Sequence, residues 1–293
     1  MPRAGIVTVA GKPNAGKSTL LNRIVGQKLS IVSSKPQSTR DRIVGIHTTD
    51  DTQMVVLDTP GLLNPRYLLQ RAMRATALKA LDDADVIVYL VDITAGEPTP
   101  LAEAAELTRP PRAPVLTAFN KIDRLSPDER AALTVQWPEV FPISAATGDG
   151  VDAILAACRA RLPESPFLYP EDELSTQTVR FFTAELIRET ALEQLEEELP
   201  YSVACDIEEF REGQVPVYIR AVLYVERESQ KRILIGAKGA RVRQIGQAAR
   251  AKIESLVGQR VYLDLWVKVL PNWRKNAVAL RRFGYRLSKE SLL

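Results

Sequence analysis

Residues 11–19, GKPNAGKST, gather the glycines, lysine and hydroxyls that a phosphate cradle requires. Their spacing fits G-x-x-x-x-G-K-[ST], and the stretch follows an apolar run and opens a helical one, the context in which such a loop works. Glycines let the backbone close so that successive N–H groups point inward at phosphate oxygens. Asn14, Ala15, Gly16, Lys17, Ser18 and Thr19 form that wall here. Lys17 brings charge to the β- and γ-phosphates, and the Ser18 hydroxyl is placed to ligate Mg2+. The pattern specifies a nucleoside triphosphate but no particular base.

The base is read further along, in NKID at 120–123. The Asp123 carboxylate can accept two hydrogen bonds from adjacent N–H groups, which guanine offers and adenine does not. Asn120 can reach both the base and the phosphate loop, and the Lys121 stem can lie flat over the ring. SAA (Ser144, Ala145, Ala146) would present a backbone N–H to the guanine oxygen. The expected ligands are therefore GTP and GDP, with Mg2+.

Two segments in between suit the γ-phosphate. In VVLDTPGL (55–62), Asp58 suits a water-mediated contact to Mg2+ and the Gly61 N–H suits the phosphate. In QSTRD (37–41), Thr39 is the candidate to close over the metal; Ser38 is its rival, and spacing does not decide between them. Residues 33–42 and 58–66 would be ordered by the γ-phosphate and released after hydrolysis, which makes a switch. Lys17, Thr39, Gly61 and Asn14 are the residues expected to act in hydrolysis.

Elements to hold these groups are legible. GIVTVAG, RIVGIHTT, TQMVVLD, DVIVYLVD, APVLTAFN and VFPIS read as strands. KSTLLNRIVG, RYLLQRAMRATALKAL and GVDAILAACRARL read as helices between or after them. Strand–helix alternation with near-continuous Val/Leu strands implies an α/β domain, a mainly parallel sheet with helices on both faces. PESPFLYPEDE (163–173) has three prolines and no periodicity, and reads as part of a linker. Beyond it the pattern changes. VRFFTAELIRETALEQLEEEL reads as one long helix, followed by two strands, a glycine loop between helices, another strand and a last helical stretch. The expected domains are 1–165, a linker at 166–178, and a smaller α+β domain at 179–293.

The guanine-nucleotide segments in this order resemble the P-loop translation-factor-like GTPases, in particular the Era family. One departure matters: Leu62 follows DTPG where a water-orienting glutamine would be expected. An apolar side chain cannot orient the attacking water by hydrogen bonding, so intrinsic hydrolysis should be slow. Asn14 looks like the asparagine that, in related GTPases, holds K+ beside the phosphates, where a cation could stabilise transition-state charge.

GAKG (236–239) lacks the longer phosphate-loop frame. It fits the G-x-x-G with which KH modules clamp a nucleic-acid backbone. Its surroundings are basic: residues 231–286 hold fourteen Lys or Arg against two acids, while the whole chain has a formal charge of only +3. Such polarity suggests a nucleic-acid footprint. The expected RNA contacts are Lys231, Arg232, Gly236, Ala237, Lys238, Gly239, Arg241, Arg243, Trp273, Arg274 and Lys275; the rings of Trp273, Phe283 and Tyr285 have two readings, stacking on bases or packing in the core. A GTPase domain followed by a KH domain (type II) is similar to the Era order over nearly the whole chain. The resemblance implies binding near the 3′ end of small-subunit (16S) ribosomal RNA, a role in maturing the 30S subunit, a monomer, and loose association with the inner membrane face of the cytoplasm. A membrane-attached regulatory GTPase and a tRNA-modifying GTPase are the alternatives. The second would need added catalytic groups such as a reactive C-terminal cysteine, and neither Cys158 nor Cys205 lies near the end.

Other classes are set aside. His47, in an alternating run, is the only histidine, so a histidine-rich metal site is excluded. The two cysteines form no C-x-x-C pair and read as reduced core thiols. No stretch is apolar and long enough to span a bilayer, and the first residues lack a signal-peptide layout.

Overall fold

The computed structural model describes residues 1–33, 35–96, 98–196 and 199–287. They fall into two compact units, 1–66 with 73–176, and 67–72 with 177–293.

In chain order the first unit contains β1 (Arg3–Ala10), α1 (Lys17–Val25), β2 (Ile43–Thr48), β3 (Thr52–Asp58), α2 (Leu68–Asp82), β4 (Val86–Asp92), α3 (Leu101–Ala104), β5 (Val115–Asn120), α4 (Pro127–Gln136), β6 (Phe141–Pro142) and α5 (Val151–Arg159). The first turn of α2 is counted with the second unit. The sheet order is β2-β3-β1-β4-β5-β6. Every pairing is parallel except the β2–β3 hairpin. Strands β1 and β4 are buried on both faces, which is why their sequences run as unbroken apolar stretches rather than alternating. Because β1 lies between β3 and β4, the chain order reverses at its carboxyl end, where open α/β sheets place their ligands. The phosphate loop leaves the sheet at that point.

The stretch read as a linker, 166–178, differs from expectation. Leu168 and Tyr169 donate their amides to Gln53 Oε1 at 2.7 and 2.9 Å, and Gln53 Nε2 donates back to the Tyr169 carbonyl. Further on, the Ile46 amide donates to the Leu174 carbonyl at 2.9 Å, and Ser175 Oγ donates to the Val44 carbonyl. Residues 168–175 are thus a strap along the outer strand of the first unit. An edge strand leaves backbone groups unpaired, and the strap satisfies some of them. Proline-rich sequence reported the lack of regular structure correctly, but not the docking.

The second unit contains α6 (Val179–Gln194), α7 (Leu199–Ser202), β7 (Ala204–Arg211), β8 (Val217–Val225), α8 (Glu228–Ile235), α9 (Ala240–Val257), β9 (Val261–Val269) and α10 (Ala277–Arg282). The single helix expected from 179 onward stops at Gln194, with Leu195 extended (φ −108°, ψ 149°). Glu197 and Glu198 of its acidic run lie outside the described residues. Strand order is β7-β8-β9, with β8–β9 parallel. The sheet packs through Ile219, Ala221 and Leu223 against Ile187, Ile245 and Ile253 of the helices.

Cys158 is buried and Cys205 half-buried, both as free thiols. Burial pushes the Cys158 thiol up to about 12, so it is inert. Among the described residues no helix is long and apolar enough to cross a membrane, and no cluster of three or more His, Cys, Asp or Glu is arranged to hold a metal ion.

Candidate nucleotide and RNA sites

The phosphate loop bends through Asn14 (φ 63°) and Gly16 (φ 100°) before α1 begins. Asparagine tolerates the left-handed region better than most residues. At Gly16 glycine is also required by space: a Cβ would sit 2.2 Å from Asn120 Nδ2. The loop, Ile31, Val32, Ser33, Gln37, Ser38, Thr39 and Gly61 line an open cleft of about 380 Å3 with Lys121 and Arg124, a size suited to a small ligand. Lys17 is 5% exposed, and its Nζ donates to the Lys12 carbonyl at 3.0 Å. Burial lowers its ammonium to about 8, while Asp58 opposes the shift.

Three hydroxyls converge on Asp58 at the end of β3. Ser18 Oγ, Ser30 Oγ and Thr39 Oγ1 stand 2.7, 2.6 and 3.4 Å from Asp58 Oδ2. Burial raises the Asp58 carboxyl, and Lys17 with these three donors pulls it back. Its other oxygen, Oδ1, is buried without a hydrogen bond. These residues fit Mg2+. Adjacent ligands on an octahedral Mg2+ at about 2.1 Å stand about 3.0 Å apart, close to the 2.9 Å between Ser18 Oγ and Thr39 Oγ1. An unsatisfied buried carboxylate oxygen is what a metal-bound water would complete. Thr39 is the hydroxyl that stands beside Ser18 and Asp58.

The switch-side loop is tied to the phosphate loop. The Leu62 amide donates to the Gly11 carbonyl at 3.0 Å, and Thr59 Oγ1 to that of Val9. Leu62 is 4% exposed and packs with Ala10, Ala77 and Ile87. Its side chain serves the core and does not meet the cleft's water.

The base-reading segments are joined by Asn120. Its Nδ2 donates to the Ala15 carbonyl at 2.8 Å, and its Oδ1 accepts from the Ala145 amide at 2.9 Å. Ser144 Oγ donates to Asp123 Oδ1 at 2.6 Å, fixing an otherwise exposed carboxylate. Lys121 pairs with Asp92, so its ammonium is anchored and its stem held in place. Burial would raise the Asp92 carboxyl, but Lys121 and Thr94 hold it below the usual value.

Sequence reasoning missed Asn22, Arg23, Ser30 and Asp92. Asn22 Oδ1 accepts from the Leu29 and Ser30 amides, and its Nδ2 donates to the Ser30 carbonyl. That clasp carries Ser30 to Asp58. Arg23, Ser30 and Asp92 meet their partners 122, 28 and 29 residues away, where no local pattern marks them.

In the second unit GAKG forms a single tight turn between α8 and α9. Gly236 (φ 74°) has no room for a Cβ, which would meet the Arg241 amide nitrogen at 2.9 Å. Ala237 and Lys238, in the turn before α9, are exposed, as are Arg232 on α8 and Arg243 on α9; Lys231, Gly239 and Arg241 are half-buried. A helix N-terminus with a free cation beside it suits a phosphate.

One expected RNA contact is corrected. Trp273 is fully buried; its Nε1 donates to the Ser202 carbonyl at 2.9 Å, and its ring meets Phe283 edge-on. It is a core residue. The Arg274 guanidinium is half-buried and paired with Glu226 through Nε and Nη2 at 3.1 and 2.6 Å. Lys275 is exposed. The exposed aromatic rings of this unit are Tyr262 and Trp266 on β9, at 58% and 55%. Alternation along RVYLDLWVKV puts them on the same face.

Comparison with known proteins gives the same two parts. The family described as 50S ribosome-binding GTPase matches residues 6–121, and that described as KH domain matches 198–274. The chain is 44% identical to GTPase Era of Pseudomonas aeruginosa, over 97% of this chain and 95% of that one. It is 43% identical to GTPase Era of Nitratidesulfovibrio vulgaris, over 96% of each. Among solved structures it resembles Era in complex with MgGDPNP and nucleotides 1506–1542 of 16S ribosomal RNA, with TM-score 0.91, 37% identity and coverage of 98% of this chain and 100% of that one. A point variant of Aquifex aeolicus Era bound to GDP·AlF4− matches with TM-score 0.90, 38% identity and coverage of 97% and 100%.

Proposed function

The chain belongs to the Era family of GTPases, and on that footing we propose that it binds and hydrolyses GTP and uses its C-terminal unit to hold the 3′ end of small-subunit ribosomal RNA during 30S maturation. The observation that carries the reading is Asn120. One side chain bonds both the phosphate loop and the base-reading loop, so the two motifs form one site.

The phosphates lie against the amides of residues 14–19, with Lys17 at the β- and γ-groups. Ser18 and Thr39 ligate Mg2+, and Asp58 accepts from a water on it. The metal, when bound, neutralises charge on the β- and γ-oxygens. Gly61 donates its amide to the γ-phosphate. Asp123 accepts from the guanine N1–H and 2-amino group. In the loop 144–149 the amides of Ser144, Ala145, Thr147, Gly148 and Asp149 are all engaged, so the Ala146 amide is the donor left for the guanine oxygen.

Leu62, directly after DTPG, cannot orient the attacking water, so turnover is slow unless another group or a cation assists. Asn14, at the cleft, is the residue to hold K+ there; hydrolysis in K+ and Na+ compared side by side tests this. Loss of the γ-phosphate frees 33–42 and 58–66 and ends the RNA-bound state. RNA is clamped at GAKG by backbone approach and by Lys238, with Lys231, Arg232, Arg241, Arg243 and Lys275 at its phosphates. The protein acts in the cytoplasm as a monomer. Loose membrane association belongs to the same reading and is supported by family resemblance alone.

The test is fluorescence anisotropy with a single-stranded copy of the rRNA 3′ tail and a scrambled control. Each is run with a non-hydrolysable GTP analogue and with GDP at fixed salt, since phosphate-driven binding is salt-sensitive. Tight binding of the native tail, favoured by the GTP form, is expected. Equal, weak and salt-sensitive binding of both oligonucleotides would remove the RNA assignment and bring the membrane reading forward, which liposome pelleting then checks.

A further inference from the structure

Arg23 lies in the last turn of α1, the helix that begins at the phosphate loop. Its side chain reaches the base-reading loop. Nε donates to the Ala145 carbonyl at 2.8 Å, and Nη2 donates to the Ala146 carbonyl. The first of these bonds is the informative one. The Ala145 carbonyl and the Ala146 N–H belong to one peptide unit, which is planar and trans, so the two groups point in opposite directions. A cation fixed on the oxygen therefore sets the direction of the N–H on the far side. It also draws electron density toward the oxygen and makes that N–H a stronger donor.

From this we infer that Arg23 is a positioning residue for guanine recognition, acting through the Ala145–Ala146 peptide on the carbonyl oxygen at position 6 of the base. The inference rests on the guanine-nucleotide reading above. Two further contacts make the peptide a built feature rather than a chance one. Asn120 Oδ1 holds the preceding amide, that of Ala145, and the adjacent loop amides are all taken internally. The loop is thus fixed on every side but one, and Arg23 fixes the remaining one from behind. Lysine could supply the charge but not the planar fork that meets two carbonyls at once.

Binding of three nucleotides to the full-length protein tests it, by competition against a fluorescent GDP analogue. GDP has the full edge. 6-Thio-GDP keeps N1–H and the 2-amino group but replaces the oxygen by sulfur, a weak acceptor. Inosine diphosphate keeps the oxygen and lacks the 2-amino group that Asp123 reads. In Arg23→Ala, GDP affinity should fall about fivefold to tenfold, the order expected for one hydrogen bond. The penalty for sulfur should shrink, and the penalty for losing the 2-amino group should stay as in the parent. Arg23→Lys should fall between, and Arg23→Gln, which keeps an amide donor, replaces Arg23→Ala should that variant not fold. Equal loss for GDP and 6-thio-GDP would reduce Arg23 to a support of the loop, and unchanged GDP binding would remove it altogether. A parent protein that does not prefer GDP to ADP would instead sink the guanine reading itself.

Discussion

Ser18 Oγ and Thr39 Oγ1 stand 2.9 Å apart, both within hydrogen-bonding distance of Asp58 Oδ2. One comes from the phosphate loop and the other from a segment 21 residues further along. Thr39→Ala should therefore raise the Mg2+ concentration needed for GTP retention and cut turnover about a hundredfold to a thousandfold, the loss typical of one transition-state donor. Ser38→Ala should change both little. Nucleotide dissociation measured across a Mg2+ titration checks the pair; equal effects would return the choice to Ser38.

Ser30 is a third hydroxyl on the same carboxylate oxygen and is 2% exposed. Removing it leaves Asp58 short of a buried donor, so Ser30→Ala should cost about 1–3 kcal/mol of stability. Chemical denaturation without nucleotide gives the number. A neutral result would mean that water replaces the hydroxyl.

The Asp92–Lys121 pair sets a pH dependence. Although burial works against it, Asp92 titrates below its ordinary 3.8 because Lys121 and Thr94 hold its charged form. A carboxylate with a depressed folded pKa contributes stability that is fully present above the unfolded value and lost as pH falls through the folded one. The stability gap between the parent and Asp92→Asn should thus be flat from neutral pH down to about 4 and close below it. Urea denaturation of both proteins across that range is the measurement. A gap that closes near neutral pH would show that Asp92 is not the titrating partner.

In the second unit, two substitutions should separate folding from binding. Trp273→Ala empties a buried site and should destabilise the protein by about 3–5 kcal/mol. Lys238→Asp with Gly239→Asp changes a turn whose Lys238 is exposed and should weaken RNA binding while GTP hydrolysis stays measurable. Thermal melting and anisotropy on the same samples distinguish them; loss of both activities in the turn variant would mean that the fold was broken.

A last pair concerns the two ends of the nucleotide. Lys17→Ala should abolish tight GTP binding. Asp123→Asn should shift preference toward xanthine nucleotides, because its amide can donate to the oxygen that xanthine carries in place of the 2-amino group. Equilibrium binding of GTP and XTP reads both, and unchanged selectivity in Asp123→Asn would withdraw the base assignment.

The phosphate loop, NKID and GAKG were legible from sequence because each is a run of neighbours in one turn. There, backbone spacing alone fixes which groups face a ligand, and glycine is forced wherever a side chain has no room, as at Gly16 and Gly236. The alternation of strands and helices, and the basic bias of the C-terminal part, were legible for the same local reason. Only the tertiary structure decided which hydroxyl meets Ser18, what holds Asp58, and which residue backs the guanine-reading peptide. It also moved Trp273 into the core, paired Arg274 with Glu226, and laid 168–175 along an edge strand. Those outcomes depend on contacts between segments far apart in the chain, and composition and spacing carry no distance between such segments.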